Sequence, residues 1–185
     1  MLSIIGKFLF HLVGWKLEGD YPGNENSFVV IVAPHTSMWD VPIGICVKWW
    51  KKMNVAFYVK EEMFFFPISI ILKGLNAIPI KRSGNTNFVF EVVKDFKTRK
   101  SHRILITPEG TRKKVKSFKT GYYFIAKGAG VPILPVIFDF ENKTMIMKDF
   151  FYLTDDIEKD QSDIEDIYDG YKGKIPEFSF SKAKG

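Results

Sequence analysis

The 185-residue sequence is poor in several things, and each shortage removes a class of protein. It has a single cysteine, Cys46, so no internal disulfide can form and nothing depends on an oxidising compartment. Set beside Pro42, Ile43, Gly44 and Ile45, that thiol reads as a core side chain rather than a nucleophile. No Gly-x-Ser-x-Gly elbow occurs, so the serine nucleophile of the common α/β hydrolases has no place here. The few histidines and acids lack tight ligand spacing, His35, Asp40, His102 and Glu109 included, and no metal is expected. No apolar run is long enough to cross a bilayer. Residues 1–15, interrupted only by Lys7 and His11, would measure about 22 Å as a helix against a hydrocarbon core of about 30 Å. The charge-free stretch 63–72 is shorter still and contains Pro67. A basic segment before the first apolar run and a small-residue cleavage site after it are both lacking, so the start does not read as a secretory signal. There is no internal repeat.

What is present is a basic, aromatic-rich chain with a formal charge of +6, which calls for an anionic partner. Nucleic acid would need aromatics interleaved with Lys and Arg, whereas these aromatics sit inside apolar runs, so a membrane surface is the expected partner and nucleic acid is not. Residues 1–15 fit either a helix lying in the interface or a helix packed into the core. Lys48-Trp49-Trp50-Lys51-Lys52 mixes indoles and ammonium groups as an interfacial belt would, although lysines at a helix C-terminus explain the charges equally well. Residues 63–72 are core under a sheet or part of the same surface.

The length suits one domain, 1–185, burying about 70% of its unfolded surface. Apolar β-branched runs at 27–32, 55–59, 103–107 and 131–138 predict strands. Between them, 41–52, the apolar positions of 83–100 at three- and four-residue spacing, and 121–127 closed by Gly128 and Gly130 predict helices. A last helix is expected over the acidic stretch 154–169, packed through Ile157, Ile164, Ile167 and Tyr168. Residues 17–26 read as a turn-rich connection and 179–185 as a frayed tail. Strands alternating with helices indicate an α/β fold.

Two strand ends carry the chemistry. Residues 27–32 run into Ala33-Pro34-His35-Thr36-Ser37-Met38-Trp39-Asp40, which puts His35 between a strand end and a helix start, where α/β proteins place their sites. A carboxylate on one ring nitrogen fixes a histidine's tautomer and stabilises the imidazolium it forms, so His35 and Asp40 are a candidate base and its orienter. Ser37 and Asp40 also fit a capping box. On an ideal helix five positions turn about 500°, so the pair meets only if His35 lies in the loop before the first turn. The second strand, 103–107, runs into Pro108-Glu109-Gly110-Thr111-Arg112, where Gly110 permits close backbone approach and Arg112 offers a planar fork for phosphate or carboxylate.

His-x-Ser-x-x-Asp followed by Pro-Glu-Gly-Thr-Arg resembles the glycerolipid acyltransferase family. Two further blocks of that pattern occur in order, Ala77-Ile78-Pro79-Ile80-Lys81-Arg82 and Val131-Pro132-Ile133-Leu134-Pro135-Val136, and Lys60-Glu61-Glu62 is similar to a third. The resemblance spans about residues 28–138, with departures at Pro34, Pro79, Thr107 and Lys113. It implies a single α/β domain with a mixed β-sheet flanked by helices. It further implies a membrane-associated enzyme that moves a fatty acyl group from an acyl thioester, acyl-CoA or acyl carrier protein, to a hydroxyl of a lysophospholipid-type acceptor, with no bound cofactor. His35 would be the base, Asp40 its partner, and Arg82, Glu109, Gly110, Thr111 and Arg112 would position the acceptor, the arginines on its phosphate. Alternatively, Arg82 and Glu109 form an ion pair that shapes the site. The expected setting is the cytoplasmic side of a membrane, with peripheral or monotopic attachment. The rivals are a lipid or thioester hydrolase in which His35 activates water, and a silent lipid-binding protein, which would have no use for a tethered base.

Overall fold

Seven residues without a charge, Ser27–Ala33, form strand β2, and both of its faces are covered. Phe28, Val30 and Val32 point to one side, where they join Phe10, Ile43 and Val47. Val29, Ile31 and Ala33 point to the other and join Val92, Ile125 and Ile164. A strand buried on both faces needs an unbroken apolar run, and that requirement places β2 at the centre of a three-layer arrangement.

In the computed structural model, residues 1–80, 88–154 and 156–182 are described. The elements are α1 (Leu2–Leu12), β1 (Lys16–Glu18), β2, α2 (Asp40–Trp50), β3 (Phe57–Lys60), α3 (Ile68–Gly74), β4 (Ala77–Ile80), α4 (Phe88–Thr98), β5 (His102–Ile106), α5 (Gly121–Ala129), β6 (Ile133–Asp139), β7 (Thr144–Met147) and α6 (Ile157–Tyr168). The main sheet has the order β1-β7-β6-β2-β5. β2 is parallel to both neighbours, β7 is antiparallel to β6, and β1 is parallel to β7. The parallel pair β3–β4 continues the sheet through Ala56, whose N–H donates to the Arg103 carbonyl and whose carbonyl accepts from Leu105, both at 2.8 Å. The result is the expected mixed sheet flanked by helices, with α1 and α2 on one face and α4, α5 and α6 on the other.

The first helix is packed into the core along one face and exposed along another. Gly6 and Phe10 are buried; a Cβ on Gly6 would lie 2.5 Å from the Cys46 carbonyl, so only glycine lets α1 approach α2 this closely. Ile4, Phe8 and Leu12, on another face of α1, are 75, 63 and 66% exposed.

Several elements differ from expectation. β1 overlaps the start of the stretch read as a turn-rich connection, and β7 was not anticipated. They are three and four residues long and form by pairing across the chain, Lys16 with Thr144; β1 is the edge of the sheet and β7 lies between it and β6. Pro67 ends one segment and begins another, so α3 starts directly after it. The supposed frayed tail is packed through its first residues: Phe180 is fully buried against Phe118, ring centroids 4.4 Å apart, and the Ser179 hydroxyl accepts the Gly173 N–H at 2.9 Å.

The last helix is tied into the sheet by one hydroxyl. Tyr168, fully buried, donates to the Ile31 carbonyl at 2.8 Å and accepts the Val136 N–H at 3.2 Å, so it stands between β2 and β6. Tyr168→Phe leaves both backbone groups without that partner, each at a desolvation cost of about 1–3 kcal/mol. A loss of about 2 kcal/mol or more in urea-unfolding free energy is expected; a change within about 0.5 kcal/mol would mean that the sheet closes over the gap.

Candidate active site

Because β2 and β5 are parallel neighbours, with Ile31 opposite Ile106, the segments leaving their C-terminal ends emerge side by side. That brings together residues 74 positions apart: both carboxylate oxygens of Glu109 accept the His35 backbone N–H, at 2.9 and 3.1 Å. Glu109 is 1% exposed. Burial pushes its pKa up to about 8, Asp40 adds to the rise, and the His35 N–H opposes it.

His35 lies in the loop before α2, as contact with Asp40 requires, and its Nδ1 is 2.6 Å from Asp40 Oδ2. At that distance Nδ1 carries the proton between them, which leaves Nε2 with a lone pair. Asp40 opens α2, where the helix dipole favours a carboxylate, and Oδ2 also takes the Ser37 N–H at 3.4 Å. Ser37 does not cap α2: its hydroxyl accepts the Trp39 N–H at 3.3 Å within the preceding turn, and the helix begins at Asp40.

The pair lines a cavity of about 210 Å³ between α2 and the sheet, whose other walls are almost wholly apolar, among them Val30, Val32, Ile45, Leu105 and Val136. Lys48 also lines it, eight residues beyond Asp40, so the cavity follows α2 for about 12 Å. Its ammonium is held by the Met53 and Val55 carbonyls at 3.1 and 2.8 Å, and burial lowers its pKa.

The remaining predicted residues are placed differently. Glu109 faces inward and braces the His35 loop. Gly110, Thr111 and Arg112 continue from it into solvent. Gly110 has φ +64°, and a Cβ there would meet the Lys119 ammonium at 2.8 Å. The Thr111 hydroxyl accepts the Lys113 N–H at 3.3 Å, and Arg112 makes no ion pair among the described residues. Arg82 lies outside the described residues. His102 begins β5, at the opposite end from Glu109, and contacts the Tyr58 hydroxyl at 3.0 Å; that hydroxyl donates to Asp95 at 2.6 Å. Sequence reasoning missed that Lys48 and the apolar walls border a cavity, because strand and helix periodicity marks residues as buried without saying which border a void.

A half-buried imidazole held by a buried carboxylate, at the C-terminal edge of a parallel strand pair and on the wall of an apolar cavity, is an arrangement in an α/β protein that can transfer a proton beside an apolar group. A family model described as "Acyltransferase" matches residues 16–139, and the chain belongs to that family. It is 29% identical over 147 residues to human "1-acyl-sn-glycerol-3-phosphate acyltransferase beta", covering 74% of this chain and 52% of the relative. To the "1-acyl-sn-glycerol-3-phosphate acyltransferase" of Escherichia coli (strain K12) it is 31% identical over 134 residues, 68% of this chain and 53% of that one. The chain thus spans about half the length of these relatives. The crystal structure of "the 1-acyl-sn-glycerophosphate (LPA) acyltransferase, PlsC, from Thermotoga maritima" shares the fold, with TM-score 0.63 and 22% identity over 90% of this chain and 74% of that one.

The raised pKa of Glu109 has a direct consequence. Between the ordinary carboxylate range and about pH 8 the folded chain holds a proton the unfolded chain has lost, so stability falls as pH rises through that window. Glu109→Gln removes this titration and keeps an oxygen for the His35 N–H. In urea unfolding from about pH 5 to about pH 8, the wild type should lose more stability than the variant; parallel losses would mean that another group titrates.

Proposed function

We propose that the chain moves a fatty acyl group from an acyl thioester to a hydroxyl of a lysophospholipid-type acceptor. The observation that carries this reading is the His35 Nδ1–Asp40 contact of 2.6 Å on the wall of an apolar cavity. His35 Nε2 takes the acceptor's hydroxyl proton as its oxygen attacks the thioester carbonyl; the C–S bond breaks and the proton passes to the leaving thiolate. Asp40 stabilises the imidazolium between these steps, and Glu109 keeps the His35 backbone in place. The cavity along α2 suits the acyl chain. Its apolar walls offer water few partners, which favours an acceptor hydroxyl over hydrolysis. Both named relatives act on a phosphate-bearing acceptor. The exposed Arg112, with Lys113 and Lys119 beside it, supplies the charge such a phosphate needs, and Arg82 is proposed as a second arginine for it.

The test is loss of transfer. His35→Ala should lower turnover by at least about 10²-fold, and Asp40→Asn should also be severe, through loss of the tautomer and of imidazolium stabilisation. Turnover within a few-fold of wild type in a folded His35→Ala protein would remove the mechanism.

Membrane attachment belongs to the same reading. No helix among the described residues is long and apolar enough to span a bilayer. The open face of α1, together with Phe65, Phe66, Ile70 and Ile71, offers apolar surface for insertion at an interface. Phe10 and Trp15 are core, so deleting the helix would damage the fold; polar substitutions on its open face are the cleaner probe. Burying Ile4, Phe8 and Leu12 stabilises attachment by up to about 1.5–3 kcal/mol each. The Ile4→Gln/Phe8→Gln/Leu12→Gln protein should therefore stay folded yet lose most co-sedimentation with vesicles in high salt. Full co-sedimentation would place the contact elsewhere.

A further inference from the structure

Beyond α6, past the last residue that the family model matches, the chain turns back across the His35 loop. Residues 172–175 form a strap that is tied down at both ends. The Lys172 carbonyl accepts the Phe140 N–H at 2.8 Å just past β6, and the Gly173 N–H donates to the buried Ser179 hydroxyl at 2.9 Å, next to the fully buried Phe180. The strap also walls a cleft of about 450 Å³ against the start of α2, which Lys143, Lys172 and Lys174, against the single acid Glu141, make cationic.

What the strap meets is Thr36, the residue directly after His35, which is 2% exposed. The Ile175 N–H donates to the Thr36 hydroxyl at 3.0 Å. Gly173 lies so close that a Cβ would stand 2.5 Å from the Thr36 hydroxyl oxygen and 2.7 Å from its Cγ2. The φ of Gly173 is outside the left-handed region, so what excludes a side chain there is Thr36 and not the backbone. Residues 34–36 belong to neither strand nor helix, and side-chain contacts therefore set their course. Glu109 holds the N–H of His35 and Asp40 holds its ring, but neither fixes the peptide that follows. That peptide leads to a side chain set into the strap, while the His35 ring lines the apolar cavity.

We infer that Thr36 is a positioning residue for His35, seated by the strap through its bond from Ile175 and its contact with Gly173. The inference rests on the proposed role of His35 and adds a residue that acts through it, held by a segment beyond the matched region. Glu109 restrains His35 on its N–H side and the strap restrains it on its carbonyl side. A base needs both, because Nε2 must meet the acceptor hydroxyl at hydrogen-bond distance while Nδ1 keeps its proton on Asp40. A misplacement of about 1 Å at such a group costs up to about 10²-fold in rate.

The test compares the wild type with Gly173→Ala, Thr36→Ala/Gly173→Ala, Thr36→Val and Thr36→Ser, each first shown to be folded by circular dichroism. Gly173→Ala should lower kcat for acyl transfer at least about tenfold, with KM for thioester and lysophospholipid within about threefold of wild type. Thr36→Ala removes the atoms that the new methyl would meet, so the double variant should turn over faster than Gly173→Ala alone. Thr36→Val keeps the shape but leaves the Ile175 N–H without its acceptor, and should also lower kcat; Thr36→Ser, which keeps the oxygen, should lose less. If Gly173→Ala does not fold, Thr36→Val carries the same prediction. A second readout needs no turnover. Long-range ¹H–¹⁵N spectra of the neutral His35 imidazole, assigned by the loss of its signals in His35→Ala, should show the Nδ1–H tautomer alone in the wild type and a mixture of tautomers in Gly173→Ala. Unchanged kcat and an unchanged tautomer in folded Gly173→Ala and Thr36→Val overturn the inference. So does a rise in KM with kcat unchanged, which would mean that Gly173 shapes the cleft and not the His35 loop. A lower kcat with the tautomer intact and no recovery in the double variant overturns it too, and makes the contact structural only. If the wild type transfers no acyl group, the proposed function fails, and the tautomer in the variants decides the inference by itself.

Discussion

The acceptance of the His35 N–H by the Glu109 carboxylate is the contact on which the site depends. It joins the loops that leave two adjacent parallel strands, so sheet register alone brings its partners together. A carboxyl buried this completely beside Asp40 resists ionisation, which is why its pKa stands near 8. With the backbone of His35 tied to the loop after β5 and its ring tied to α2, neither end of the residue swings freely. An inward Glu109 thus contributes through position, and its neighbours Gly110 to Arg112 are left to face solvent.

Helix α2 divides the surroundings of that pair. Its first residue holds the imidazole, one side borders the apolar cavity, and another, through Trp39 and Ile43, borders the cationic cleft closed by the strap from beyond α6. The sheet beneath is apolar on both faces and is pinned to α6 by the Tyr168 hydroxyl, so the strap, which follows α6, starts from a fixed point. Gly6 performs a similar service for α1, whose close packing on α2 leaves a row of large side chains open to whatever covers them.

The parts legible in the sequence are those written by local pattern. β2, β5 and β6 are apolar runs of strand length, α4 and α6 show helical spacing, and His35, Asp40 and Glu109 follow strand ends. Their convergence depends on parallel pairing between distant segments, which one sequence does not display. For the same reason β1 and β7 were not read: they are short, and they exist because β7 pairs with β6 and β1 with β7. The stretch from Ser179 misled because Ser179, Ser181 and Lys182 look solvated, whereas Phe180 among them fills a core position against Phe118. Nothing in the local pattern around Gly173 marks it as the residue that must touch Thr36.

The central claim is that a base over an apolar cavity serves transfer to a lipid hydroxyl rather than to water. The most direct measurement is mass analysis of the products formed when purified protein meets an isotopically labelled acyl thioester with and without a panel of lysophospholipids. The account predicts a labelled acyl ester that appears only when a lysophospholipid with a free hydroxyl is present, with little free fatty acid. Labelled fatty acid released at the same rate with or without acceptor would contradict it.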